Sequence, residues 1–335
     1  MTLQPESQPP LNLVTGAAGY VGGEVVRQLL DRKSRVRVMV RTPAQAEPLE
    51  RLGVEVVFAD LQKPETLPAA VQGVTNLYHV ASLFRAAGLP ETVFHDINAE
   101  GTRRLLDSAI AAGVKRFVHC STGGVLGHIK NPPADENAPY NPGDAYQRSK
   151  LEGEKIAMEY FRSGKIRGVV IRPAMVYGPG DTRNLKMFRM IARGKFFYVG
   201  DGKTKVHFVD VRDLARGFIL AMEHDELNAE IYHVPGPKSV TQKEMAEMIA
   251  HELGVRPPWI HLPVKPMQWL GSACEAICAP LGIDPPIFRR RVDFFTKHRE
   301  FNGAKAARDL GYRPAQSLDD EVREITRWYR QHDWL

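Results

Sequence analysis

Tyr146 and Lys150 stand four residues apart in Tyr146-Gln147-Arg148-Ser149-Lys150, which opens a helical pattern behind the turn residues Pro142-Gly143-Asp144. Helical spacing of i, i+4 puts the phenol and the ammonium on one face. A free phenol titrates near pH ~10 and is a poor base at neutrality, but an adjacent cation and an oxidised nicotinamide ring both lower that value. Such a phenol takes a proton from an alcohol, or gives one to a ketone, while a hydride passes to or from the dinucleotide. The pair alone recurs by chance in many helices. Its weight comes from its place after a fifth strand, in a chain that also carries a glycine loop. That fifth strand ends in His119-Cys120-Ser121-Thr122-Gly123-Gly124. Thr122 and Ser121 are both candidates to hold the substrate oxygen and stabilise developing charge. The bland reading, that a hydroxyl merely bonds loop backbone, applies to at least one of them.

The glycine loop is Thr15-Gly16-Ala17-Ala18-Gly19-Tyr20-Val21-Gly22, between the first strand and the first helix. Three glycines spaced G-x-x-G-x-x-G let the backbone turn tightly and let a pyrophosphate approach a helix N-terminus, where unpaired N–H groups and the helix dipole favour anions. Gly16, Ala18, Gly19, Tyr20, Val21 and Gly22 are therefore cofactor-binding candidates, and the strand-before, helix-after context raises the repeat above a lone glycine pattern. The second strand ends in Val40-Arg41-Thr42 with no acid. A carboxylate there would hydrogen-bond the ribose of NAD, whereas an arginine suits the 2′-phosphate of NADP. NADP is thus favoured over NAD, with Arg41 the phosphate partner, Arg37 second, and a solvated arginine the plain alternative. Asp60-Leu61, closing the third strand, meets the adenine edge or serves as ordinary loop.

These groups need a scaffold. β-Branched runs at Leu11–Thr15, Val36–Val40, Val54–Phe58, Asn76–Val80, Arg116–Cys120 and Arg167–Ile171 alternate with helical patterns at Gly22–Lys33, Pro43–Leu52, Thr66–Val71, Ile97–Ala112 and Ala145–Phe161. That alternation predicts an α/β, Rossmann-type doubly wound parallel sheet. Expected boundaries are a disordered tail over 1–10, a dinucleotide-binding domain over 11–175 with returning segments in 206–234, and a smaller, mostly helical substrate lobe from 176–205 and 235–335. Val206–Val209, the helix Val211–Glu223 and Ile231–Val234 read as the return to the first domain. The lobe carries helices near Phe188–Arg193, Thr241–Leu253, Met267–Ala279 and Asp319–His332.

With 335 residues, 43% of them hydrophobic, the chain can bury one large core or two modest ones. Its net charge of +6, from 45 basic and 39 acidic side chains, is spread along the length and suits anionic ligands without selecting one. Basic stripes interleaved with aromatic platforms are missing, so a nucleic-acid partner is not expected. No apolar run approaches the ~20 residues of a membrane span. The polar, Pro-rich start argues against a signal peptide, and a cytoplasmic location is expected. Cys120, Cys274 and Cys278 read as small core residues, and no metal site is indicated.

Beyond these local readings, the glycine loop, Ser121-Thr122, Tyr146-x-x-x-Lys150, Ile171-Arg172-Pro173-Ala174-Met175-Val176-Tyr177-Gly178-Pro179-Gly180 and His207-Phe208-Val209-Asp210-Val211-Arg212-Asp213-Leu214-Ala215 together resemble an extended short-chain dehydrogenase/reductase. The resemblance spans almost the whole chain, to Leu310-Gly311-Tyr312-Arg313-Pro314. It implies that Thr122 is the catalytic hydroxyl with Ser121 its neighbour, that Tyr146 is the acid/base, and that Lys150 also holds the nicotinamide ribose. It further implies that Val80, Ala81 and Ser82 line the cofactor and that Pro173 and Met175 flank the nicotinamide. Asn98 falls where the family often has a helix asparagine, with backbone bracing as the equal alternative. Dimerisation through Ile97–Ala112 and Ala145–Phe161 follows by the same analogy.

Members acting on nucleotide sugars usually carry an asparagine where Met175 stands and Arg-Asp where Lys205-Val206 stands. The chain is more similar to the branch of 3β-hydroxysteroid dehydrogenases, sterol-4-carboxylate 3-dehydrogenases and dihydroflavonol reductases. The expected reaction is therefore NAD(P)-dependent hydride exchange with a small-molecule substrate, a secondary alcohol or ketone on a cyclic, largely apolar skeleton such as a sterol or isoprenoid, possible 4-carboxy sterols included. A nucleotide-sugar 4-epimerase, dehydratase or ketoreductase is the alternative, kept open by Arg183, Lys186, Arg189, Arg193, Lys195 and Lys203, which could face a diphosphate, a carboxylate or water. A cofactor-bound regulatory protein is the third class, weakened by the presence of both Tyr146 and Lys150. Pro266–Pro286, closed by Arg289-Arg290-Arg291, could cap the substrate, touch a membrane peripherally, or pack as an ordinary helix.

Overall fold

Strands with apolar residues on both faces must be covered on both faces, which selects a parallel sheet between helical layers. The computed structural model describes residues 9–84, 88–278, 292 and 295–335. It holds the strands β1 (Leu11–Thr15), β2 (Arg35–Val40), β3 (Glu55–Phe58), β4 (Asn76–His79), β5 (Arg116–Cys120), β6 (Arg167–Pro173), β7 (Met175–Tyr177), β8 (Tyr198–Val199), β9 (Lys205–Asp210), β10 (Glu230–Val234), β11 (Ser239–Thr241) and β12 (His261–Leu262). Seven join in the order β3-β2-β1-β4-β5-β6-β10, every pair parallel. The order reverses between β1 and β4, so a crevice opens beyond their carboxyl ends, where α/β sheets take ligands.

The helices of this layer are α1 (Tyr20–Asp31), α2 (Pro43–Glu50), α3 (Leu67–Val71), α4 (Glu91–His95), α5 (Gly101–Ala111) and α6 (Ala145–Arg162). Side-chain alternation along β1 shows how both faces are covered: Val14 packs with Val25 of α1, while Leu11 and Leu13 pack with Leu67 of α3, Leu105 of α5 and Phe161 of α6. Each such buried aliphatic side chain is worth roughly 1.5–3 kcal/mol. Asp144 caps α6, its carboxylate accepting from Gln147 N at 2.8 Å. The helix expected over Ile97–Ala112 differs: α4 comes first, and a π-helical turn, Asp96–Glu100, joins it to α5.

The remaining helices are α7 (Leu185–Ala192), α8 (Val211–Glu223), α9 (Gln242–Leu253), α10 (Val264–Cys278), α11 (Ala304–Asp309) and α12 (Leu318–Gln331). Helix α8 packs its Leu214 and Phe218 into the same core as α1. The strand expected to return at Val206–Val209 does form as β9, but it pairs with β7 and β11 in a separate three-stranded sheet. The reason is that β10 already occupies the free edge of β6. Phe188, Phe208, Ile249, Val322 and Tyr329 give this part of the chain its own core. Residues 1–8 of the expected tail and 279–291 of the expected cap and arginine run lie outside the described residues. No helix among those described is long and apolar enough to cross a membrane.

Candidate active site

The chain leaves β1 through Gly16, whose φ is +73°, a left-handed conformation suited to glycine. A Cβ on Gly16 would lie 2.7 Å from Ala81 N, and one on Gly22 would lie 2.2 Å from Gly16 O. Both positions are cradles that any side chain would fill. Gly19 precedes α1 and bonds Gly16 O through its N–H at 2.9 Å. No side chain caps α1, and no acid sits in its first turn. Its leading N–H groups are left without helical partners and its positive end is not offset, a fit for a pyrophosphate. Ala18 is exposed at the crest of the loop, and Tyr20 and Val21 are half-buried behind it. Thr15 Oγ1 accepts from Ala81 N at 3.1 Å, so the Val80-Ala81-Ser82 tail of β4 forms the facing wall.

At the end of β2, Arg41 is exposed and its main-chain N–H donates to Gln45 Oε1 at 2.9 Å. Its guanidinium meets no partner among the described residues. Arg37, the second choice, is committed to Glu55 at 2.6 Å and to the carbonyls of Ala70 and Gln72 at 3.0 and 2.6 Å. Asp60 Oδ1 accepts from Gln62 N at 3.0 Å, an ordinary loop turn. Leu61 is buried beneath Gly101.

Tyr146 and Lys150 are both buried in the first turns of α6. The Tyr146 ring meets the edge of Phe84 at 5.0 Å. Lys150 Nζ donates to Cys120 O, the last carbonyl of β5. Burial pushes its ammonium below the ordinary lysine value, opposed by Cys120 and Glu154. Behind it lie His79 and His119, rings 5.4 Å apart. Burial, with the Lys150 charge adding to it, takes His79 down to about 3, so that histidine is neutral and Lys150 supplies the local positive charge. His79 bonds Thr15 Oγ1 at 2.9 Å and Thr102 Oγ1 at 3.1 Å, linking β1 to α5.

Asn98 sits in the π turn, a feature that often marks functional sites. Its Nδ2 donates to Ser149 Oγ at 2.9 Å and Leu83 O at 3.1 Å, while its Oδ1 accepts from Leu83 N at 2.7 Å. Ser149 in turn donates to Tyr146 O at 2.9 Å. Asn98 thereby braces the backbone carrying Tyr146 and the segment carrying Phe84. Gly153 allows this approach, since a Cβ there would lie 2.4 Å from Asn98 O.

The two hydroxyls at the end of β5 part company. Ser121 Oγ is buried and donates to Glu154 Oε2 at 2.5 Å. Thr122 is half-buried, and its Oγ1 accepts from Gly124 N at 3.1 Å, which leaves its own proton available. Glu154 also pairs with Arg172 at 2.6 Å, both side chains fully buried, and accepts from Tyr140 at 2.9 Å. Breaking such a pair leaves an uncompensated charge, at a cost of about 3–5 kcal/mol. Glu154→Ala is expected to lower stability by about that amount in urea unfolding, and a loss below ~1 kcal/mol would show the pair to be idle. Pro173 ends β6 with its carbonyl against Gly123, and Met175 opens β7, half-buried against the lobe core. Val206 is buried in that same core, which explains its apolar side chain by packing rather than by the pocket.

Sequence reasoning missed three supports: Phe84 against Tyr146, the Asn98–Ser149 bond, and Glu154 under Ser121. Only the last had a visible signal, a glutamate four residues after Lys150 on the same helix face. No group of histidine, cysteine and acidic side chains among the described residues could hold a metal ion.

The model of the NAD dependent epimerase/dehydratase family matches residues 12–234. Sterol demethylase protein B of Methylococcus capsulatus is 28% identical, over 96% of this chain and 99% of its own. A 3 beta-hydroxysteroid dehydrogenase/Delta 5-->4-isomerase of Mycobacterium tuberculosis is also 28% identical, over 95% and 90%. Among solved structures, the dTDP-glucose 4,6-dehydratase DesIV of Streptomyces venezuelae, with NAD and TYD bound, superposes with a TM-score of 0.75 at 26% identity, covering 96% of this chain and 97% of that one.

Proposed function

Because the chain belongs to the NAD dependent epimerase/dehydratase family and is an NAD(P)-dependent oxidoreductase, we propose that it exchanges a hydride with a secondary alcohol or ketone on a cyclic, largely apolar substrate of sterol or isoprenoid type. The observation that carries the reading is Lys150: a fully buried ammonium, fixed on Cys120 O and four residues along α6 from Tyr146. Bound NADP(H) supplies or takes the hydride. Tyr146 moves the hydroxyl proton through its phenol oxygen, and Lys150 favours the phenolate while presenting its remaining N–H groups to the nicotinamide ribose. Thr122 donates to the substrate oxygen, and Ser121 steadies the strand end through Glu154. Met175 and Pro173 would flank the nicotinamide, and Val80, Ala81 and Ser82 would line the cofactor. The apolar substrate class is supported by the half-buried Met175 and by the names of the two relatives above. Carried over from the family resemblance, the proposal includes a homodimer packed through α5 and α6 and a cytoplasmic location.

The test is incubation of purified protein with a 3β-hydroxysteroid and NADP+. One reduced nicotinamide formed per ketone is expected. Interconversion of a UDP-sugar on a tightly held cofactor, with no net redox change, would overturn the reading in favour of an epimerase.

The unpartnered Arg41 guanidinium extends the proposal to NADP over NAD. Arg41→Asp is expected to raise KM for NADP at least roughly tenfold and that for NAD far less, because a charge-assisted fork is lost and a like charge gained. Steady-state kinetics with both cofactors decides it; equal changes would remove Arg41 from the 2′-phosphate role.

A further inference from the structure

Helix α10 is apolar on both of its sides. Val264, Met267, Gly271, Cys274 and Cys278 recur at helical spacing and form its covered stripe, with Val264 against the Gly200 turn after β8. The outward stripe holds Trp269, Leu270 and Ile277, which are 77%, 47% and 66% exposed. Just ahead of β12 stand Trp259, 80% exposed, and Ile260. A helix that is hydrophobic all round is built to be covered all round, and a contiguous exposed apolar patch marks an interaction surface.

The borders of this patch carry one sign of charge. Residues 182–200 hold Arg183, Lys186, Arg189, Arg193 and Lys195 without a single aspartate or glutamate, and residues 253–274 hold Arg256 and Lys265, again without an acid. Helix α7 buries Leu185, Phe188 and Ile191, which turns Lys186 and Arg189 outward. Strands β8 and β12 run parallel, with Tyr198 N donating to Ile260 O at 2.9 Å. That pairing brings the segment entering β8, with Arg193 and Lys195, alongside the segment entering β12, with Trp259 and Ile260. The acids that bound the first stretch are engaged: Asp181 is buried against Arg183, and Asp201 accepts from Lys203 N at 3.0 Å. At the far end of the basic row, Arg183 lies 5.3 Å from the ring of Tyr20 and 5.6 Å from that of Phe84, so the row reaches the rim of the crevice.

We propose that this face docks the protein peripherally on an anionic lipid bilayer, with Trp259, Trp269, Leu270 and Ile277 entering the headgroup region and the cations of α7 and its exit against lipid phosphates. Tryptophan rings settle at the membrane–water interface, and each lysine or arginine held near anionic lipid strengthens attachment several-fold. Charge selects this occupant over a second copy of the chain, which would set the same cations against one another. The exposed leucine and isoleucine select it over a nucleic acid, which would answer the cations and leave those side chains in water. The inference is independent of the hydride-transfer reading; it adds that the crevice rim sits beside the bilayer.

The test sediments the full-length protein with vesicles of phosphatidylcholine, alone or mixed with phosphatidylglycerol, and reads quenching of tryptophan fluorescence by brominated acyl chains. The wild type is expected to bind mixed vesicles at least about tenfold tighter than neutral ones, less so as salt is added, and to be quenched. Trp259→Ser with Trp269→Ser should remove most of the quenching and weaken binding. Lys186→Glu with Arg193→Glu should weaken binding to mixed vesicles at least about tenfold. Lys33→Glu with Lys115→Glu makes the same change in net charge at exposed positions ahead of β2 and β5, at the sheet edge away from the crevice, and should bind as the wild type does. Affinity for NADP+ and Tm report that each variant is folded, and the tryptophan and charge variants test the face separately. Absence of binding to mixed vesicles overturns the proposal, as do equal losses in the two charge variants or quenching that survives in the tryptophan variant. Tighter binding of an oligouridylate than of vesicles would assign the face to nucleic acid. A dimer in sedimentation equilibrium that dissociates in the tryptophan variant would assign it to a second copy, and either result overturns the proposal.

Discussion

Tyr146→Phe is expected to cut kcat by roughly a hundredfold or more, the scale of a lost general acid–base group. The phenyl ring that remains keeps the edge contact with Phe84, now at 5.0 Å, and the helix backbone is still held by Ser149 and Asn98. Cofactor affinity should therefore stay within about twofold, since no part of the glycine cradle changes. Single-turnover kinetics with fluorescence titration of NADPH separates the two quantities. Unchanged turnover would sink the proton-transfer role. Loss of cofactor binding in step with turnover would instead mean that the phenol is a structural prop.

The second large effect is expected at Gly22. An alanine there would place Cβ 2.2 Å from Gly16 O and 2.6 Å from Gly16 C, both backbone atoms that cannot swing aside. The first turn of α1 and the Gly16 turn must separate, and the N–H groups leave the position where a pyrophosphate would meet them. Gly22→Ala should weaken NADP+ binding by about a hundredfold, near 2.7 kcal/mol, and lower Tm as well. Gly23→Ala is the internal control, because its Cβ would approach Ala17 O only to 3.2 Å on the same helix. Calorimetry on both variants reads the contrast. Similar losses in the two would mean that α1 merely dislikes side chains, and the cradle would lose its role.

What could be read in advance followed from short-range rules. Strand identity along β1 and β5 came from continuous β-branched and apolar runs, and α6 from the turn residues Pro142-Gly143-Asp144 ahead of it. Tyr146 and Lys150 were legible because helical spacing alone fixes their common face. The glycine loop was legible because its function is a backbone property. Boundaries drifted by up to four residues, as at the starts of α5 (Gly101 against Ile97) and α7 (Leu185 against Phe188). The pairing of β9 with β7 and β11 was not legible, because pairing partners are set by which edge is vacant, a property of the assembled sheet.

Other features depend on residues far apart in sequence. Choosing between Ser121 and Thr122 required seeing that Glu154 draws the serine inward. Choosing between Arg41 and Arg37 required finding Glu55 and two carbonyls around the latter. That Arg183 lies beside the rings of Tyr20 and Phe84, on two other segments of the chain, was likewise set by the fold.

By itself, then, the sequence determined the sheet-and-helix alternation, the phosphate turn and the tyrosine–lysine face, because backbone geometry and periodicity act over a few residues. Tertiary structure decided which hydroxyl and which arginine are already committed to other partners, Ser121 to Glu154 and Arg37 to Glu55 and two carbonyls. Those choices turn on burial and on partners supplied by distant strands, and a polar side chain's role is set by whether another group has already taken its hydrogen bonds.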